Sequence, residues 1–200
     1  MDFETNSFLS PRLRGMVLFF LAIAITLTAL TTSANGAQKK GEGPMFTREG
    51  ELLMPKNFRH WVFIGAPVTP NDMNNGKAAF PEFHHVYINP VSFAAYRKSG
   101  KLPDGTILVK ELASVGAKSA VSGNGYFPGE FIGVATAVKD SKRFAKEPGN
   151  WAYFSFMGTD GKALAKAKMQ PTPACNECHQ KNAAADWVFS QFYPVLRAAK

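Results

Sequence analysis

Two hundred residues with a formal charge of +8 make a basic chain of single-domain length. Its only two cysteines, Cys175 and Cys178, lie too close together to staple distant parts of a core, so a disulfide scaffold is excluded. The sequence contains no internal repeat or low-complexity tract, which excludes a solenoid.

The first expected element is an export signal. Arg12 and Arg14 precede an uncharged run from Gly15 to Ser33, and Ala34-Asn35-Gly36-Ala37 follows in the style of a signal-peptidase site. Its strongly apolar part, Met16 to Leu30, is shorter than the ~20 residues of a spanning helix. A cleaved signal over residues 1–36 is therefore expected, with a periplasmic mature chain and no membrane association after cleavage. Asp2 and Glu4 balance Arg12 and Arg14, so cleavage leaves the net charge unchanged. That charge suits either steering toward an acidic redox partner or a plain solvated lysine-rich surface. An exported chain of this kind is not a nucleic-acid binder.

Residues 37–50 read as a flexible polar lead-in to a single domain over 51–200. Trp61–Ile64 is a short apolar run closed by Gly65 and Pro67, and His84–Ile88 reads as a strand stopped by Asn89-Pro90. Val91–Ser99 has helical character and ends at Gly100. Pro103-Asp104-Gly105 is a turn, and Thr106–Leu112 alternates as a strand. Gly123-Asn124-Gly125 predicts another turn before the β-type run Tyr126–Val138. A short helix is expected between Asp140 and Pro148-Gly149-Asn150, followed by the aromatic strand Trp151–Met157 and a turn at Thr159-Asp160-Gly161. Lys162–Met169 is read as a helix, and an apolar helix from Ala184 to about Tyr193 closes the chain. The expected fold is mainly β or α+β, an antiparallel sheet of about five strands with a few helices.

After a Thr-Pro-Ala loop comes Cys175-Asn176-Glu177-Cys178-His179, a Cys-x-x-Cys-His run. This spacing points to covalent haem c attachment, with Cys175 and Cys178 as thioethers and His179 as iron ligand. A dithiol redox pair and a zinc site are the alternatives. The redox pair would open a helix after a strand, and zinc needs about four ligands where this cluster offers three. No methionine follows His179, and none of Met45, Met54, Met73, Met157 or Met169 is marked as a distal ligand. An open iron position is therefore favoured, with Trp187, Phe189 and Phe192 near the haem and Phe80 or Phe131 capping its distal side.

Several further segments, in order, resemble the cytochrome P-460 family across essentially all of the mature region. They are Glu51–Asn57, Asp104–Leu112, Ser122–Phe127, Val138–Phe144, Glu147–Trp151 and Phe192–Arg197. The resemblance implies a periplasmic, homodimeric c-type haem protein that oxidises hydroxylamine, with nitric oxide in the cycle and an unidentified redox partner. It also implies a third covalent link, from a lysine matched here by Lys110 to the haem. On its own, Lys110 alternates in phase with Leu108 and Leu112, so it either projects from an apolar face or snorkels to solvent. The family's glutamate base is matched by Ala135, which cannot accept a proton, and a distal arginine of some members by His84. His84 is thus the candidate distal polar group, while His85 points to the opposite face and His60 carries no signal. Gly133, Ala135 and Ala137 share one small-residue strand face that either a macrocycle or another side chain could approach. The alternative function is a nitric-oxide-binding or carrier cytochrome of the β-sheet c-prime type.

Overall fold

The computed structural model describes residues 43–158 and 162–199; the expected signal over residues 1–36 and the expected turn at 159–161 lie outside the described residues. Strands are β1 (Leu52–Leu53), β2 (Val62–Gly65), β3 (Phe83–Ile88), β4 (Ile107–Val115), β5 (Ser119–Ala120), β6 (Gly123–Asn124), β7 (Pro128–Lys139), β8 (Trp151–Ser155) and β9 (Lys166–Ala167). Helices are α1 (Pro90–Ser99), α2 (Thr172–Asn182) and α3 (Pro194–Ala198). The five antiparallel strands β2-β3-β4-β7-β8 form the main sheet, as the alternating and aromatic runs predict. Among the described residues no helix is long and apolar enough to cross a membrane.

Local chemistry explains most boundaries. Pro90 opens α1, and Gly100 closes it at φ 68°, a left-handed position where a side chain would be strained. Buried Asn89 clamps the crossing from β3 to β4: its side chain accepts from the Ile107 N–H at 3.0 Å and donates to the Gly105 carbonyl.

Alternation along the strands gives the sheet two buried faces. One packs Ile107, Val109, Val134, Val138, Ala152 and Phe154 against Phe58 and Phe144. The other packs Val86, Ile88, Leu108, Trp151 and Tyr153 against Val188, Tyr193 and Leu196. This two-sided burial is why Trp151–Ser155 is apolar without interruption. The end of the lead-in joins the first face, where Phe46 packs on Phe144 and Phe154 and bridges to Leu52.

Five sequence expectations are corrected by the structure. Lys162–Met169 is not a helix. Lys166–Ala167 pairs with β1, Met169 bridges to Phe154, and Lys166 reaches Glu51, so strand edges needing partners override helix propensity. The closing apolar helix from Ala184 is likewise absent: a turn and a 3-10 turn over Ser190–Phe192 replace it, and Pro194 starts α3 rather than ending a helix. Gln191 turns back to accept from the Ala184 N–H and donate to the Asn182 carbonyl, while Asp186 is drawn to the sheet. Gly123-Asn124 pairs with Ser119-Ala120 in a small hairpin instead of forming the turn itself. The short helix after Asp140 is a series of turns around the Asp140 side chain, which accepts from the Lys142 and Arg143 N–H groups. Finally, the Thr-Pro-Ala stretch is the first turn of α2 rather than a loop, with Pro173 where no helical N–H is needed.

Candidate functional site

Cys175, Cys178 and His179 all lie on α2, at spacings of three and four that put them on one helix face. Asn176 projects the other way and is buried; its side-chain amide donates to the Trp151 carbonyl at 2.9 Å, fastening α2 to β8. Both thiols are unpaired. Burial raises the Cys175 thiol, only partly offset by Lys110, whereas reactive dithiols work through a lowered thiol. That counts against the redox-pair reading. Among the described residues no three His, Cys, Asp or Glu side chains are grouped to hold a metal ion.

His179 is held between the rings of Tyr153 at 4.4 Å and Phe189 at 4.7 Å. Its Nδ1 lies 2.8 Å from the Trp187 carbonyl, which can only accept, so Nδ1 carries the hydrogen and the Nε2 lone pair is left for a metal. Burial lowers the His179 pKa, which favours this neutral form. The carbonyl comes from an unusual turn in which Asp186 and Trp187 both have left-handed φ values, 50° and 55°. Such residues cost on the order of 1–3 kcal/mol each and persist where surrounding contacts hold them. Phe189 stacks on Phe192, whose own ring is exposed.

Lys110 is on β4, paired with Val86 on β3 and Ala135 on β7. Its side chain shares the face of buried Leu108 and Leu112 and points inward rather than snorkelling out. Burial lowers its pKa, against the opposing pull of Glu82 and Cys175. Its ammonium is 5.1 Å from the Phe80 ring centre. Lys110 acts electrostatically on Cys175, His84 and His179, and Cys175 packs against the cluster that contains Leu108, on the sheet face that Lys110 shares.

His84, paired with Leu112, lies on the same face one pleat from Lys110. Burial, then Lys110 and His85, lowers its pKa to about 4. Glu82 Oε1 stands 3.5 Å from Nε2 without hydrogen-bond alignment, so its pull does not overcome desolvation and Nε2 has no partner. Phe80 meets the His84 ring edge-on at 6.2 Å. His85 is on the opposite face, stacked on Phe83, and His60 is exposed in a 3-10 turn. Phe131 stands at a β-bulge opposite Ala113 and is partly exposed. At Gly133 a side chain does cover the small-residue face, since an added Cβ would fall 2.5 Å from Met157 Cγ.

Sequence reasoning missed Glu82, Tyr153, Lys139 and Asp186. Tyr153 was visible only as one aromatic among several in its strand. Glu82 precedes β3 without any pattern, and Lys139 and Asp186 become partners only through folding.

The residues fit a haem. Two thiols and an oriented imidazole share a helix face, and a buried amine stands on the adjoining sheet. Buried Tyr153 Oη, Trp187 Nε1 and His84 Nε2 are left without hydrogen-bond partners. This is the donor set of a haem-binding protein built on an antiparallel sheet. The family model for cytochrome P460 matches residues 55–190. The chain belongs to the cytochrome P460 family, and with it to the haem-containing cytochromes. The search of curated proteins found no match.

Proposed function

We propose that this protein is an exported, periplasmic c-type haem protein that binds and oxidises hydroxylamine, with nitric oxide as co-substrate or intermediate. Cys175 and Cys178 would hold the macrocycle as thioethers, His179 would ligate iron, and Lys110 would form a third covalent link. The observation that carries this reading is that Cys175, Cys178 and His179 share one face of α2, with His179 Nδ1 held by the Trp187 carbonyl so that Nε2 is left for a metal, while Lys110 is buried on the sheet.

A bound haem would supply a redox-active iron. The chain's own residues do the rest. His179 is held in the tautomer that ligates, and Lys110 is desolvated, which lowers its pKa toward the neutral amine. His84 is neutral at neutral pH, and its Nε2, without a hydrogen-bond partner in the chain, can hydrogen-bond a bound substrate as a distal polar group. Phe80, over both Lys110 and His84, limits the size of what enters. Electrons would leave to an unidentified redox partner, and the family resemblance supports a homodimer.

Peptide mapping of the mature protein tests the core of this reading. The Lys110 peptide is expected to carry the haem mass together with the Cys175–Cys178 peptide, and the reduced protein to show a red-shifted Soret band. A free Lys110 with an ordinary c-type spectrum overturns the cross-link.

A second reading, a nitric-oxide-binding cytochrome with little turnover, is favoured by Ala135. This residue pairs with Lys110 on one side and Ser155 on the other, so a glutamate there would sit beside the amine. Ala135→Glu is expected to raise steady-state hydroxylamine oxidation within the ~10²–10⁴-fold that a placed base contributes. An unchanged rate in correctly cross-linked protein rules out the missing base as the cause of slow turnover.

A further inference from the structure

We infer that Asp186 and Lys139 form a positioning pair for the axial histidine: their ion pair holds the turn whose Trp187 carbonyl orients His179. The inference rests on the reading of His179 as iron ligand.

Both oxygens of Asp186 are engaged by Lys139, at 2.8 and 2.6 Å, and Oδ1 also accepts from Trp151 Nε1 at 3.3 Å. Lys139 and Trp151 are themselves paired across β7 and β8, so the sheet presents two donors side by side to one carboxylate. Trp151 is fully buried and the ion pair is only partly exposed, which makes this a fixed anchor rather than a loose surface contact. The turn so anchored is the strained one, with Asp186 and Trp187 both left-handed and Ala185 bridged to Val188. The Trp187 ring is seated against Gly149, where an added Cβ would fall 2.4 Å from Cε3. The turn is pinned at the Asp186 carboxylate and the Trp187 indole, and the carbonyl that follows them, that of Trp187, stands 2.8 Å from His179 Nδ1.

The consequence is electronic as well as steric. A carbonyl held on Nδ1–H makes the imidazole a stronger donor through Nε2, and a stronger axial donor favours the oxidised iron. Releasing the turn weakens that bond, so the reduction potential rises and the iron–histidine bond of the ferrous protein softens. A purely electrostatic influence predicts something different. Removing the Asp186 charge would raise the potential, and removing the Lys139 charge would lower it.

The test is the reduction potential and the iron–histidine stretching frequency of haem-loaded Asp186→Asn and Lys139→Met proteins. Positioning is expected to raise the potential and lower the frequency in both variants, although the two change net charge in opposite directions. Potentials that move in opposite directions with an unchanged frequency overturn the proposal, leaving only through-space charge. Lower thermal stability with both readouts unchanged also overturns it, leaving a structural role alone. A His179→Ala protein that keeps the parent spectrum and frequency removes the ligand assignment itself and the proposal with it. That failure is distinct, because the Asp186 and Lys139 variants are not needed to see it.

Discussion

His84 and Lys110 stand one pleat apart on the same sheet face, yet their chemistry is set by what surrounds them rather than by their own nature. Burial drives both toward the neutral form, in which a lysine is a nucleophile and a histidine is a base. The His84 shift has a measurable consequence for stability. Its pKa is about 4 in the folded chain against 6.5 unperturbed, so between these values the unfolded chain takes up a proton that the folded one refuses. The stabilisation is present in full above pH ~6.5 and is lost as the pH falls toward ~4. Denaturant midpoints measured across this window are expected to drop in the parent protein and to drop less in His84→Gln. Parallel curves for the two proteins would show that another group drives the acid sensitivity. Sequence pattern put Lys110 on the face of Leu108 and Leu112, because strand alternation is local and the three carry it within five residues, but left open whether the side chain turns inward or snorkels to solvent. The partners of His84 are local, Glu82 two residues and Phe80 four residues before it, but neither carries a pattern that marks it as a partner of the imidazole.

Helix α2 carries Cys175, Cys178 and His179, so its seating on the sheet governs the candidate site. Asn176 is the anchor: it occupies the variable position of the motif, and no attachment chemistry requires an amide there. Asn176→Ala removes the bond to the Trp151 carbonyl and leaves that buried acceptor unpaired, at a cost of ~1–3 kcal/mol. A thermal melt is expected to show the loss as a lowered midpoint, with impaired haem retention. An unaltered melt would remove the anchoring role. The same scale shows where local patterns misled. Lys162–Met169 and the residues after Ala184 have helical spacing, but each is claimed by distant partners. Lys166 answers Glu51 from 115 residues away, and Asp186 answers Lys139 from 47. Contacts of that range outweigh the few tenths of a kcal/mol per residue that separate ordinary helix formers.

At the scale of the whole molecule, the excess of eight positive charges acts on encounter rather than on fold. Electron transfer to an acidic acceptor is expected to slow as ionic strength rises past ~0.1 M, where the Debye length shrinks to ~10 Å. A rate indifferent to salt would assign the lysines to solubility alone. The sequence by itself determined the Cys-x-x-Cys-His spacing, the strand-rich architecture and the face on which Lys110 lies. Each of these is written in spacings of two to four residues, short enough to be read without knowing the fold. Tertiary structure alone decided which segments became strand edges and whether His84 turned inward. It also decided how Asp186 was drawn to the sheet beneath His179, because those outcomes depend on groups that meet only when burial and strand pairing bring remote parts of the chain together.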